Sequence, residues 1–500
     1  MKTDSLHNRN TLKTLYNICR PMLAAWGMIF GVISGMSAIA QEAAVFPPNG
    51  TIPDRIQRII DGHNLPDSSF SFYVQAVDAD KPRFVFNAGR PMNPASSVKT
   101  ITTFAALESL GPAFTWRTEL YALGPVENGV LKGDLLMKGG GDPFLVEDQL
   151  RGMLKSLQRT GVEHITGNLV LDGSYFDASV TDDDLIDNQA GRAYNTRPNA
   201  VIANFQAMTF YFYPHPNGRD VIIHTDPRLH NVKIANRLRQ VDRACGGYQR
   251  GISYNLNPSD PTEVIFEGSF PSRCSRYQLV REVLNAPDYT FGLFMALWQE
   301  LGGSLDGDLR VGAVPDNLEP IVVWNSVPLG DVIRSINKFS NNVMTRQLLL
   351  TLGAEVLGPP ATIDKGIQAM KNYLELKSLD STQLSLDNGA GLSRGTRVTT
   401  SLMTGLLQSA WRSPYMPEFV ASLPLNGLDG TMRNRVRGTT MSGRMHVKTG
   451  SLDEVAAVAG YVYSQSNTLY TVVGIVNHEL ADRGPGAELL DELLTWVYLQ

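Results

Sequence analysis

Apolar positions along the 500-residue chain fall into three regimes. The first predicts a helix over 52–63, then strands over 70–77 and 83–87 around a turn at Asp78-Ala79-Asp80. A helix over 96–110 follows, with Val98, Ile101, Ala105 and Leu107 near helical spacing and Gly111-Pro112 as its stop. From about 115 to 288 the pattern shortens to apolar runs at 135–138, 167–171, 221–225 and 263–266, set among many Gly, Pro, Asn and Asp. This predicts a β-rich insertion. Helical patterns return at 290–301, 329–338 and 342–357, and the chain closes with strands over 446–449, 455–463 and 469–476 and a helix over 488–498. Leu489, Leu490, Leu493 and Leu494 give that last helix an apolar side suited to packing on a sheet. The expected fold is α+β: an antiparallel sheet covered by helices, built from 41–114 and 289–500 and split by the insertion at 115–288.

The first forty residues follow a different rule. Lys2, Arg9, Lys13 and Arg20 against Asp4 make the start cationic, an apolar run extends from Met22 to Ile33, and small residues lead to Ala38-Ile39-Ala40. That is the pattern of a secretory signal cleaved after residue 40. The rival reading is an uncleaved anchor, against which the run is short and interrupted by Gly27 and Gly31. Removing the segment takes the net charge from -5 to -8, and no Lys/Arg stripe is present, so a nucleic-acid partner is not expected. Membrane association beyond a peripheral one is not expected either. Cys19 leaves with the signal; Cys245 and Cys274 form an even pair in an oxidising compartment and are expected to be a disulfide, worth about 3–4 kcal/mol. Two free buried thiols are the alternative. No His clusters near them with ligand spacing, so neither a metal site nor a cofactor is expected.

Candidate chemistry sits in three short elements: Ser96-Ser97-Val98-Lys99, Ser340-Asn341-Asn342 and Lys448-Thr449-Gly450. S-x-x-K, S-D-N and K-T-G are the signature of penicillin-binding proteins and class A β-lactamases, and here the middle element keeps its serine and asparagine. Singly each is weak, since Ser335-Ile336-Asn337-Lys338 and Ser253-Tyr254-Asn255 match as well. Their order and local context carry the weight. Ser96 opens a helix, so its N–H lacks an intrahelical acceptor. Lys99 lies one turn on, on the same face, and can take the hydroxyl proton if burial and a second cation, Lys448, lower its pKa. Ser340 and Asn342 belong at a break between two helices, where the amide could hold a peptide and the hydroxyl relay a proton to a leaving amine. Lys448, Thr449 and Gly450 lie on an edge-like strand, Gly450 allowing an acyl chain close to the backbone. The N–H groups of Ser96 and Ser451 would form an oxyanion hole.

With these elements placed, the chain resembles the low-molecular-mass class C penicillin-binding proteins, the D-alanyl-D-alanine carboxypeptidase/endopeptidase family. The separation of 244 residues from Ser96 to Ser340 matches the large insertion that divides the transpeptidase/β-lactamase-like domain of that family. Residues 387–394, Asp-Asn-Gly-Ala-Gly-Leu-Ser-Arg, resemble its D-G-S-G-L-S-R segment. The resemblance implies Arg394 as a substrate-binding residue beside Thr449, Gly450 and Ser451, with an ordinary salt bridge as the alternative, and puts Asp453 at the rim. Family members that read a diaminopimelate amine look to use an acid from the insertion; the matching stretch here is Asp187-Asn188-Gln189, with Gln189 nearest, and neither acid nor amide is assigned a role.

The resemblance implies an exported, periplasmic serine D,D-peptidase, acting on peptidoglycan stem peptides through a Ser96 acyl-enzyme and inhibited by β-lactams. Carboxypeptidase and endopeptidase differ only in the leaving group and stay undivided. A β-lactamase needs a dedicated deacylation base, for which no convincing glutamate motif is found, and a non-catalytic wall-binding protein would not need all three elements intact.

Overall fold

The computed structural model describes residues 46, 48–180, 186, 191–246, 251–438 and 440–500. The expected signal segment, Cys19 and Asp187-Asn188-Gln189 lie outside the described residues.

The half of the fold that carries the three short elements is built on an antiparallel sheet in the order Met445–Leu452, Val455–Tyr463, Leu469–Asn477, Phe70–Ala76, Phe84–Phe86. Alternation along a central strand explains why it reads as one apolar run. Ala456, Val458 and Val462 join a core with Ile56, Ile60, Leu489, Leu490 and Leu493, while Ala457, Ala459 and Tyr461 join another with Ile101, Phe104, Leu402 and Leu406. Helices Asp54–His63 and Pro485–Tyr498 thus cover one face, and Lys99–Leu110 and Thr400–Trp411 the other. The last helix starts before its expected residue 488 because Pro485 takes the first helical position, where a missing N–H costs nothing. Strand Met445–Leu452 is the sheet edge, as expected for the Lys448 element.

The inserted region has its own core, from Leu120 through Phe210 and Phe266 to Val322. A mixed sheet runs in the order Leu309–Val311, Leu169–Asp172, Asp134–Gly139, Arg117–Leu123, Val322–Asn325, beside smaller sheets that include Ala207–Pro214 and Asp260–Pro271. Helix Glu147–Arg159, absent from the sequence reading, buries Leu150, Met153, Leu154 and Leu157 in this core. Helix Ala286–Glu300 packs there too, and Val322–Asn325 pairs with Arg117–Leu123. We therefore place the return to the first half of the fold after Asn325 rather than at 289. The helical pattern at 290–301 is real, but its apolar residues face the inserted core.

Cys245 and Cys274 are joined by a disulfide. They follow strands Lys233–Val241 and Asp260–Pro271, whose ends pair at Val241 and Pro271, so the bridge ties two neighbouring strand exits together.

Candidate active site

Ser96 stands in a single 3-10 turn, Ala95–Val98, that runs directly into helix Lys99–Leu110. The turn is forced: Ala95 has φ 43°, a left-handed conformation that costs of order 1 kcal/mol in a non-glycine residue. Asn93 holds it there. Its Oδ1 accepts from the Ala95 N–H (2.9 Å) and its Nδ2 donates to Ser393 O (2.9 Å), while Asn477 grips the Asn93 backbone on both sides. Ser96 is thereby fixed at a helix start with an N–H that no helical turn can use.

Lys99 is fully buried, and its Nζ lies 3.0 Å from Ser96 Oγ, 2.7 Å from Asn342 Oδ1 and 2.5 Å from Ala390 O. Two of these three partners can only accept. Asn342 Oδ1 and Ala390 O take both N–H groups of a neutral amine and leave its lone pair for the Ser96 hydroxyl. The electrostatics agree: burial pushes the Lys99 pKa well below its ordinary value, and Lys448 and then Arg346 push it further. Lys448 was expected in that part; Arg346 was not. It is buried on helix Asn342–Leu357, one turn beyond Asn342, and donates to Thr196 O of the inserted region at 3.0 Å.

Ser340 occupies the break foreseen between helices Leu329–Phe339 and Asn342–Leu357, at φ 57°. Asn341 caps the second helix by accepting from Met344 N at 3.0 Å, which leaves Ser340 and Asn342 to face the cleft. Lys448 Nζ donates to Ser340 Oγ (2.9 Å) and Thr449 O (2.7 Å), and its burial lowers its pKa to about 7. Asn342 Nδ2 is 3.4 Å from Tyr194 O, so the inserted region reaches the site itself. The five polar residues therefore form a trio, Ser96 with Lys99 and Asn342, and a pair, Ser340 with Lys448.

Glycine at 450 has a different cause from the one expected. A Cβ there would lie 2.3 Å from Pro94 O and close to the Ser97 and Ser96 nitrogens. The close approach is between the strand and the serine turn, and it sets Ser451 beside Ser96. Along the same strand Val447 N donates to Pro424 O and Asn426 N to Met445 O, so residues 424–426 cover the first half of the edge. Continuing that alternation, Thr449 and Ser451 direct their N–H groups to the uncovered half. Thr449 Oγ1 donates to Thr431 Oγ1 at 2.7 Å.

Arg394 donates to Asp453 O at 2.7 Å and lies 3.4 Å from Asp453 Oδ2, both side chains largely exposed. The salt bridge weighed as its alternative role is thus present. The rest of segment 387–394 braces the base: Asn388 Oδ1 accepts from Ala390 N, Asn388 Nδ2 donates to Leu392 O, and Gly389 O accepts from Thr102. Of the competing matches, Lys338 is paired with Asp429 and Ser253 lies on strand Ile252–Asn257 of the inserted region. The sequence reading missed the Ala390 carbonyl, Arg346, Asp429 and Thr431. Only Arg346 left a trace, as a cation four residues past Asn342 on one helix face.

The model of the D-Ala-D-Ala carboxypeptidase 3 (S13) family matches residues 53–496. A D-alanyl-D-alanine carboxypeptidase of Actinomadura sp. (strain R39) is 29% identical over 392 residues, 75% of this chain and 72% of that one. The D-alanyl-D-alanine carboxypeptidase DacB of Haemophilus influenzae is 24% identical over 433 residues, 86% and 88% of the two chains. The crystal structure of penicillin binding protein 4 from H. influenzae has the same fold, with a TM-score of 0.75 at 22% identity over 89% of this chain and 99% of that one. Because the match takes in the serine turn, the Ser340 break, the Lys448 strand and the inserted region between them, the chain belongs to the D-Ala-D-Ala carboxypeptidase 3 (S13) family.

Proposed function

We propose that this protein is a serine D,D-peptidase that cleaves D-alanyl-D-alanine and cross-link peptide bonds of peptidoglycan through an ester on Ser96, and that penicillins acylate the same atom. The observation that carries the reading is the environment of Lys99, a buried amine whose two N–H groups are taken by pure acceptors while Ser96 Oγ sits 3.0 Å away. A stem peptide lies along the uncovered half of strand Met445–Leu452, adding its backbone to the edge. Ser96 Oγ attacks the penultimate D-alanyl carbonyl and its proton passes to Lys99. The oxyanion is held by the Ser96 and Ser451 N–H groups, each donor worth roughly 3–4 kcal/mol. As the C–N bond breaks, the amine takes a proton from Ser340, which Lys448 resupplies; a pKa of about 7 suits a group that gives and regains a proton near neutrality. Water then hydrolyses the ester, its proton passing through Ser340 to Lys448 while Lys99 returns a proton to Ser96 Oγ, which restores the starting site. Lys448, Thr449 and Arg394 bind the substrate carboxylate side, Gly450 keeps the strand against the turn, and Asn342 orients both Lys99 and the peptide.

Carboxypeptidase and endopeptidase action share every step and differ in the amine released. Residues 1–40 act as a cleaved export signal, placing the enzyme in the periplasm with stem peptides and β-lactams as its partners and at most peripheral membrane contact. Among the described residues no helix is long and apolar enough to cross a membrane. Intact-mass measurement after incubation with benzylpenicillin tests the assignment. One adduct, lost in Ser96→Ala, is expected. Intact penicillin and no adduct would sink the reading; consumed penicillin and no adduct would make the protein a β-lactamase.

A further inference from the structure

Residues 424–432 form a strap with no part in the steps above. Its first residues pair with strand Met445–Leu452, and it then turns back under helix Leu329–Phe339. Lys338, two residues before Ser340, meets Asp429 there with Nζ–Oδ distances of 3.0 and 2.7 Å, its side chain only 6% exposed. Asp429 Oδ1 also accepts from Leu425 N at 2.7 Å. Gly430 follows at φ 53°, where a Cβ would lie 2.6 Å from Lys338 O, and Thr431 then reaches the Thr449 hydroxyl. One short segment thus grips the helix end that carries Ser340 and the strand that carries Lys448.

We propose that the Lys338–Asp429 pair is a positioning device that holds Ser340 against Lys448, and so governs protonation of the leaving amine. Ser340 is in a left-handed conformation at the end of its helix, a state that persists only where its surroundings impose it. The helix end and the strand are far apart in sequence, and the pair with its Gly430 turn joins them directly below the relay.

This inference rests on the D,D-peptidase reading, and leaving-group chemistry tests it separately. A peptide amide needs a proton to depart; a thioester analogue releases a thiolate without one. Lys338→Met alone leaves the half-exposed Asp429 carboxylate without its cation, so the variant is Lys338→Met with Asp429→Asn, set beside Lys338→Arg, whose guanidinium can still face both oxygens. Each is assayed on a D-alanyl-D-alanine peptide and on its thioester counterpart. In the double variant kcat for the amide is expected to fall at least 10-fold with KM little changed, the thioester rate to stay within about 3-fold, and Lys338→Arg to recover most of the amide rate. Parallel loss on both substrates, or loss on neither, overturns the proposal. If the double variant does not fold, the same amide-to-thioester comparison in Lys338→Arg and Asp429→Glu decides: an unchanged ratio in both overturns it, and a selective amide loss in Asp429→Glu supports it. An inert wild type would overturn the D,D-peptidase reading first and the inference with it.

Discussion

Lys448→Met should stabilise the protein while abolishing its chemistry, and the gain should depend on pH in a calculable way. Lys448 is fully buried and its folded pKa is about 7, against 10.5 for an exposed lysine. The unfolded chain binds this proton throughout pH 7 to 10, whereas the folded chain has half lost it at pH 7. The unfolded state therefore holds more protons, and stability rises with pH across that window. A shift from 10.5 to about 7 corresponds, at 1.36 kcal/mol per unit, to a penalty of about 4 kcal/mol at pH 7 and about 2 kcal/mol at pH 9. Met removes the titration and keeps most of the volume. Its stabilising effect relative to wild type should thus shrink by about 2 kcal/mol between pH 7 and pH 9, a few degrees in Tm. Loss of the Lys448 charge also lets Lys99 regain some proton affinity, which flattens the curve further and makes the figure a lower bound. Packing changes and all other groups enter equally at both pH values and cancel. Thermal or guanidinium unfolding of both proteins at pH 7 and 9 measures the difference. If the gap between the two proteins is the same at both pH values, Lys448 keeps an ordinary pKa and the account of its burial is wrong.

Arg346→Gln removes one cation that disfavours protonated Lys99, so the base holds its proton to higher pH. The acid limb of penicillin acylation should move up while the plateau rate survives, and Arg346→Lys should leave the limb in place; stopped-flow acylation against pH measures both. Gly450→Ala pushes a methyl against the Pro94 carbonyl, a backbone atom, and should cost about 1–3 kcal/mol and most penicillin labelling. Retained labelling would show that strand and turn need not touch. Cys245→Ser with Cys274→Ser should lower the unfolding free energy of the inserted region by about 3–4 kcal/mol and leave labelling of Ser96 intact below the transition, as calorimetry beside fluorescent-penicillin gels would reveal.

The sheet strands and the three short elements that meet around Lys99 and Lys448 were legible because each has a local signature: a two-residue alternation, a helix start, a helix break, an edge strand. The residues that were missed have none beyond the four-residue step from Asn342 to Arg346. Ala390 acts through a carbonyl, which every residue owns, and only the bracing by Asn388 aims it at Lys99. Arg346 lies on a helix buried nearly all round, where periodicity gives no face to read. Asp429 and Thr431 matter through contacts with Lys338 and Thr449. The end of the inserted region, which we place after Asn325, is hard to read for a similar reason. Ser304–Leu305 and Leu309–Val311 are strands of two or three residues whose pairing with His164–Ile165 and Leu169–Asp172 is non-local. The amphipathic spacing of Glu147–Arg159 was present in the sequence and masked by the turn-rich composition around it.

The chain order of the catalytic sheet also fixes when the site can exist. Strand Phe70–Ala76 pairs locally with Phe84–Phe86, but its other edge waits for Leu469–Asn477, with Phe70 opposite Val476. The inserted region, by contrast, completes its strand pairing by Asn325. During synthesis from the N-terminus, Ser96 and Lys99 emerge long before Ser340, Lys448 or the strand that roofs them, and pairing across such a span is slow. Until the final strands dock, Ser96 is an ordinary alcohol on an unpaired turn, with no oxyanion donors and no desolvated base. A nascent or truncated chain that stops short of residue 469 holds the nucleophile without the enzyme, and reactivity arrives as the last event of folding.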